Sequence, residues 1–259
     1  MRFATLQAWL DWQQRLHPAS IDLGLERVKS VLGALGLGRP PQVLTVGGTN
    51  GKGSVVAMLD AILRAGGYDV GCFTSPHLCR YGERIRIRGR EAGEEELLEA
   101  FERIDRARGE TSLTFFEWNT LAALALFERA GVDVAVLEVG LGGRLDAVNV
   151  VDADVAAVVS VGLDHMEWLG PTVEHIGREK AGIFRAGRVA VYGSRRMPDS
   201  VGEAATRIGA RLRRLGADFD FVERPDGWDY VSTRARRPDL PLPAIAGPAQ
   251  LGNAATALA

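Results

Sequence analysis

Residues 45–54 read Thr-Val-Gly-Gly-Thr-Asn-Gly-Lys-Gly-Ser, between an apolar run at 42–46 and an amphipathic segment at 54–65. This pattern is suited to holding a triphosphate. Gly47, Gly48, Gly51 and Gly53 let backbone N–H groups turn inward. Lys52 adds a point charge, and the helix that follows presents its positive end. The spacing differs from the common G-x-x-x-x-G-K-[ST], because position 46 is Val and Gly53 separates Lys52 from Ser54. A strand before the loop and a helix after it make this a nucleotide site.

Ligands of open parallel sheets bind outside the carboxyl ends of the strands. Several polar residues fall at such ends. A strand over 69–73 runs into Thr74-Ser75-Pro76-His77. A strand over 132–139 carries Glu138 and is followed by Gly140-Leu141-Gly142-Gly143-Arg144-Leu145-Asp146, and a strand over 154–161 leads to Asp164-His165. With the glycine loop, four strand ends should converge on one crevice. A carboxylate in a run as apolar as that around Glu138 is costly unless it is paired or holds a cation. Hydroxyl, carboxylate and imidazole suit Zn2+ or Mn2+ as readily as Mg2+; a triphosphate normally arrives with magnesium, which tips the choice. Lys180 lies among Ala181, Ile183 and Phe184, and burial there would favour a neutral, reactive amine. A solvated Lys180, or one paired with Glu179, is an equal alternative on these grounds. His17 and His175 read as structural, and His77 as lining the cleft at most.

The elements that must position these groups follow from periodicity. Segments 6–16 and 23–35 have helical spacing of apolar residues. The run 42–46, the loop, a helix to Gly66-Gly67 and a strand over 69–73 form a βαβ unit of a mostly parallel sheet. A short alternating strand is expected over 83–87, a charged, solvated helix over 94–107, and a buried apolar helix over 115–130. Segments 132–139 and 154–161 are β-branched runs of central-strand type. A helix over 174–184, a strand over 189–192 and a basic amphipathic helix over 201–215 come next. Strands over 219–222 and 228–231 around Asp226-Gly227 suggest a hairpin. The fold class is α/β, a mostly parallel sheet flanked by helices. Prolines 238, 241, 243 and 248 mark an extended connector over 232–252. Asn253 then reads as the N-cap of a helix that the chain enters and leaves unfinished, as at the start of a further domain.

Composition narrows the function classes. A net charge of −2 argues against a nucleic-acid surface. Cys72 and Cys79 cannot build a disulfide framework and fit a reducing cytoplasm, one as a half-buried strand thiol and one in a loop. No segment approaches the ~18 apolar residues that span a bilayer.

Together, GTNGKGS, TSPHL (74–78), TFFE (114–117), LEVGLGGRLDA (137–147), LDHMEWLG (163–170) and REKAGIF (178–184) resemble the folylpolyglutamate synthase/dihydrofolate synthase branch of the Mur ligase superfamily. IDLGLERV (21–28) and the NAATALA end agree, so the resemblance spans essentially the whole chain. It implies an ATP- and Mg2+-dependent ligase that phosphorylates the carboxylate of a pteroate or folate and lets L-glutamate displace phosphate. Lys52, Lys180 and His165 would be the catalytic set. Thr49, Asn50, Gly51, Lys52, Gly53 and Ser54 would hold ATP, with Asn253 reaching the nucleotide. Ser75, Glu138 and His165 would ligate Mg2+, and Lys180 would be carbamylated. Ser20, Ile21, Asp22, Leu23, Thr114, Phe115, Phe116, Glu117, Leu145, Asp146 and Ala147 would line the dihydropteroate site, where Asp146 can accept two parallel N–H bonds from the pterin's amino-pyrimidine edge. The implied division is an ATP-binding domain over 1–231, the connector over 232–252, and 253–259 opening a C-terminal domain that supplies much of the glutamate site. A monomer with small-molecule substrates and no nucleic-acid or membrane partner is expected. A folylpolyglutamate synthase alone, or a nucleotide-binding module without catalysis, are the competing readings.

Overall fold

The computed structural model describes residues 2–259. Helix α1 (Leu6–Leu16) starts where Thr5 Oγ1 accepts the Ala8 N–H, and α2 (Glu26–Leu35) stops at Gly36, whose φ of 66° lies in the left-handed region. Strand β1 (Gln42–Gly47) feeds the glycine loop and α3 (Lys52–Ala65), and β2 (Val70–Phe73) completes the βαβ unit. The strand expected over 83–87 is shorter, because Tyr81–Arg84 form a 3-10 turn before β3 (Ile85–Ile87). Glu83 closes that turn by accepting the N–H groups of Leu78 and Arg80, each at 2.7 Å. Strand β4 (Arg90–Glu91) pairs back on β3.

Helix α4 (Glu94–Arg108) is not solvated all round: Leu97, Ala100, Phe101 and Ile104 are buried, so its charges occupy the outer face alone. Helix α5 (Phe115–Ala130) has the expected bounds. It opens on a capping box in which Thr114 and Glu117 each bond the other's backbone N–H, and it ends at left-handed Gly131. Strands β5 (Val134–Glu138) and β6 (Val155–Val158) follow, separated by a 3-10 turn at Ala147–Val150. Next come α6 (Met166–Leu169), α7 (Val173–Lys180) and β7 (Val189–Tyr192).

The single helix expected over 201–215 is two elements. Helix α8 (Asp199–Ile208) stops at left-handed Gly209, and β8 (Arg211–Arg214) adds to the sheet beside β7. An open sheet edge overrode the helical spacing of a short basic segment. The hairpin is present as β9 (Phe219–Arg224) and β10 (Gly227–Ser232), but a third strand, β11 (Arg236–Leu240), joins it from within the expected connector. Helix α9 (Gln250–Leu258) begins three residues before Asn253, which is therefore inside the helix and not its cap.

The main sheet runs β4-β3-β2-β5-β1-β6-β7-β8, with its six strands from β2 to β8 mutually parallel and the β3–β4 hairpin antiparallel on one edge. Both faces are covered, so the alternation of side chains sends successive residues into different cores. Val134 and Val136 pack with Val55 and Val56 of α3, while Ala135 and Leu137 join the core of Trp118, Leu121 and Phe127 from α5. Each such large side chain contributes roughly 1.5–3 kcal/mol by leaving water. Cys72 is fully buried at 1% exposed, deeper than a half-buried thiol, and Cys79 is exposed.

Candidate active site

Strands β2, β5, β1 and β6 are consecutive neighbours, so the loops at their carboxyl ends form one continuous edge. Glu138 sits opposite Val46, the last residue before the glycines, and Gly47 opposite Val158. The glycine loop is braced from the β6 side. Thr49 N–H donates to the Ser160 carbonyl at 2.8 Å, and Asn50 N–H to Ser160 Oγ at 3.0 Å. Thr49 Oγ1 accepts the Gly162 N–H at 3.0 Å. Gly51 has φ 87°, and a Cβ there would lie 2.8 Å from Asn253 Oδ1, so only glycine fits. Gly48, at φ 149°, would drive a Cβ to 3.1 Å from the Ser160 nitrogen. Lys52 folds over this loop, donating to the Gly48 and Thr49 carbonyls at 3.0 and 3.3 Å. Ser54 accepts a bond from Gln250 of α9 at 3.4 Å.

Glu138 is 4% exposed and lies against the first turn of α3, since a Cβ on Gly53 would be 3.9 Å from both its oxygens. Its Oε2 accepts the Ser75 N–H at 3.2 Å. Burial pushes its carboxyl above the usual range, against that bond and the Lys52 charge. Lys180 is also 4% exposed, and burial with the nearby Lys52 charge lowers its amine to about 8, opposed by Asp164 and Asp146. Glu179 bonds Arg144 at 2.9 Å and leaves Lys180 unpaired by it. His165 takes a left-handed conformation at the start of α6, with its side chain 49% exposed and Nε2 3.7 Å from Asp164. The structure thus joins Ser75 and Glu138 directly and places Lys180 within electrostatic range of Lys52, while His165 lies on the exposed loop after β6, with no hydrogen bond or ion pair to any of them among the described residues. Among the described residues no three His, Cys, Asp or Glu side chains converge on a metal position. A buried carboxylate at a helix N-terminus, with a serine on one oxygen, is nonetheless a fitting donor for a hard cation.

Beyond Ser75 the crevice deepens into a cavity of about 280 Å3. Every residue from Ser20 to Leu23, from Thr114 to Glu117 and from Leu145 to Ala147 lines it. Three separate stretches, chosen from sequence, therefore share one wall. Asp146 is 2% exposed; its Oδ2 accepts the Leu141 N–H at 2.8 Å and its Oδ1 the Val148 N–H at 3.0 Å. Burial outweighs these donors and pushes its carboxyl up to about 7. Asp22 and Glu117 are both committed to Arg27, at 2.7 and 3.1 Å.

The sequence reading missed further lining residues, among them Pro76, Arg84, Gly140 and Leu141. It also missed Ser160, which its position after β6 could have flagged. His17 bonds Ser112 at 2.9 Å and Asp22 at 3.0 Å, and His175 bonds Thr172 at 2.8 Å. A second opening, about 370 Å3, lies on the other side of the glycine loop between Asn50, Gly51, Ser160, Arg195, Phe221 and Asn253. Asn253 is held there by its own Nδ2 donating to Gln250 Oε1 at 3.0 Å.

Comparison with known proteins is consistent with this geometry. The chain is 50% identical over 255 residues to the dihydrofolate synthase/folylpolyglutamate synthase of Escherichia coli (strain K12), covering 98% of this chain and 60% of that one. It is 34% identical to the folylpolyglutamate synthase of Lacticaseibacillus casei, over 90% of this chain and 58% of that one. A solved structure of E. coli FolC in complex with DHPP and ADP superposes with a TM-score of 0.95 at 49% identity, covering 98% of this chain and 61% of that one. The enzyme from Yersinia pestis complexed with AMPPNP and Mn ion gives 0.92 at 49% identity, covering 98% and 61%. The chain thus spans about 60% of the length of the E. coli relative. Residues 46–196, more than half the chain, match the Mur ligase middle domain, and the protein belongs to that family.

Proposed function

We propose that this chain is the nucleotide- and pteroate-binding part of an ATP-dependent carbon–nitrogen ligase that joins L-glutamate to dihydropteroate and to folates through an acyl phosphate. One observation carries the reading: the three expected substrate stretches line a single cavity that opens beside Ser75, and so beside Glu138 and the phosphate loop. Thr49, Asn50, Gly51, Lys52, Gly53 and Ser54 take the phosphates on backbone N–H groups and the α3 N-terminus, and Asn253 takes the nucleoside side. Asp146 accepts the amino-pyrimidine edge of the pterin, which fixes the far end of the substrate. Glu138 and Ser75, with His165 swinging in from its loop, would hold Mg2+. When bound, that ion offsets negative charge on the transferring phosphoryl group. Lys52 supplies a second positive charge to the same oxygens, and the buried cleft keeps water from the acyl phosphate.

Lys180 is suited to carbamylation. Its neutral amine can attack carbon dioxide, forming a nitrogen–carbon bond and losing a proton, which turns a buried cation into an anion beside Lys52. The lowered amine, about 8 instead of 10.5, makes the neutral form a few hundred times more abundant near neutral pH. Incubation with 13C-bicarbonate should give a carbamate carbon resonance that Lys180→Ala abolishes; no such resonance in the unaltered protein would reject the modification.

The matched relatives are longer, and we propose that a second domain follows residues 232–252 and completes the glutamate site. No helix among the described residues is long and apolar enough to cross a membrane, and we propose a monomer working in the cytoplasm. Titration calorimetry with ADP and with dihydropteroate tests the reading. Residues 1–259 should bind both and form little dihydrofolate from ATP, Mg2+, dihydropteroate and glutamate. A folded chain that binds neither ligand would refute the assignment.

A further inference from the structure

Two walls of the substrate cavity differ in how they are held. The wall at 114–117 is the capped first turn of α5. The wall at 20–24 belongs to the link over 17–25 between α1 and α2, which contains no helix or strand. Arg27, in the first turn of α2, joins the two from behind, with its side chain 25% exposed. Its Nη1 donates to Asp22 Oδ2 and its Nη2 to the Asp22 carbonyl, both at 2.7 Å. Its Nε donates to Glu117 Oε1 at 3.1 Å and to Oε2 at 3.3 Å. His17 adds a second tie to the link: its Nε2 lies 3.0 Å from the same Asp22 oxygen and its Nδ1 2.9 Å from Ser112 Oγ.

The base of this clasp is rigid, because Val28 and Val31 of α2 are buried in one core with Trp118 and Leu121 of α5. Arg27 therefore grips the link by backbone and side chain at once and fixes it to a helix that is already in place. A planar guanidinium can serve a carboxylate, a carbonyl and a second carboxylate together, which a single ammonium cannot. A segment without ladder bonds is costly to order, and a ligand meets that cost wherever the protein has not. Resting on the function proposed above, we propose that Arg27 is a positioning residue for dihydropteroate: it ties the 17–25 link to α5 and gives the cavity its shape before the pterin arrives. It acts through Asp22 and Glu117. The glycine loop is braced from the β6 side instead, at Ser160, so Arg27 governs one substrate and not the other.

Titration calorimetry on residues 1–259 tests this. Arg27→Gln should bind dihydropteroate roughly 10- to 100-fold more weakly than the parent, the scale of hydrogen bonds between charged groups, with ADP within about threefold. Unchanged dihydropteroate affinity would overturn the role of Arg27 and leave the ligase reading standing. Arg27→Lys should recover only part of the loss; full recovery would show that charge alone matters and reject the clasp. A double-mutant cycle with Asp22→Asn separates a shared clasp from independent contacts. In the Asp22→Asn background, Arg27→Gln should cost at most about threefold more; losses that multiply would reject the proposal. Equal weakening of ADP and dihydropteroate would make Arg27 a general brace of the fold and reject it too. If the parent binds ADP but no dihydropteroate, this role and the pteroate reading fall together.

Discussion

Two cavities open at opposite ends of the same parallel sheet. The one at the amino ends, before β1, β6 and β7, encloses about 970 Å3 between Leu32, Arg39, Leu124, Asp152, Arg185 and Arg188. The one at the carboxyl ends encloses about 280 Å3. By volume alone the first would be the site. Its charges, however, are spent on one another: Arg39 and Arg188 pair with Asp154, Arg185 with Asp152, and Lys29 with Glu26. At the carboxyl ends, among the described residues, neither Arg84 nor Lys52 forms an ion pair with a carboxylate, Lys52 reaching only loop carbonyls, and Glu138 and Lys180 are buried against their own ionisation. Polar groups without a counter-charge mark a binding site, and paired ones mark a scaffold.

Experiments can break this contrast from either side. The largest effect should come from Lys52→Ala, which removes the cation at the phosphates; the proposed ligase turnover, assayed in a chain extended by the proposed second domain, should fall roughly 100- to 1,000-fold while the melting curve stays close to the parent's. Near-parental phosphate release would show that Lys52 is spent too. Next, Glu138→Gln keeps the shape and removes the charge, so half-maximal activity should need at least about tenfold more Mg2+; an unchanged magnesium titration counts against the metal role. Asp146 gives a smaller, pH-shaped effect. Its acid is raised to about 7, so it is protonated below that pH and becomes an acceptor above it. Dihydropteroate affinity should therefore increase as pH rises through about 7, and Asp146→Asn should flatten the profile; a slope that survives the substitution assigns it to another group. The smallest change should come from the amino-end cleft. Arg185→Ala removes bonds to Asp152 and Asn149 and should cost about 1 kcal/mol in urea melts with no change in kcat/KM. A catalytic defect there would collapse the distinction between the two ends.

Much of the fold was legible because its signals are local. The apolar run over 132–139, which contains β5, and the bounds of α1, α5 and β7 follow from residue pattern within a few positions. Illegible parts depend on what lies next to them in space. Residues 211–214 have helical spacing, yet they meet the free edge of β7 and extend along it. Asn253 has the composition of a cap, but its neighbours from Gln250 onward already form helix against α3. The same division holds for the site. Glycines, Lys52 and Glu138 carry their chemistry in sequence, whereas Arg84 sits in a segment read as an ordinary strand. Nothing local distinguishes a buried, unpaired guanidinium from one on a surface.

The bracing of the glycine turn sets a condition on how the protein is made. Asn50 meets Ser160 across 110 residues of chain, and Ser54 meets Gln250 across 196. On the ribosome, the signature that announces nucleotide chemistry emerges first, and the groups that give it shape emerge much later. A nascent product halted near residue 150 would display that signature without a working cradle. Affinity for nucleotide should accordingly arrive late in synthesis, as a checkpoint on completed folding.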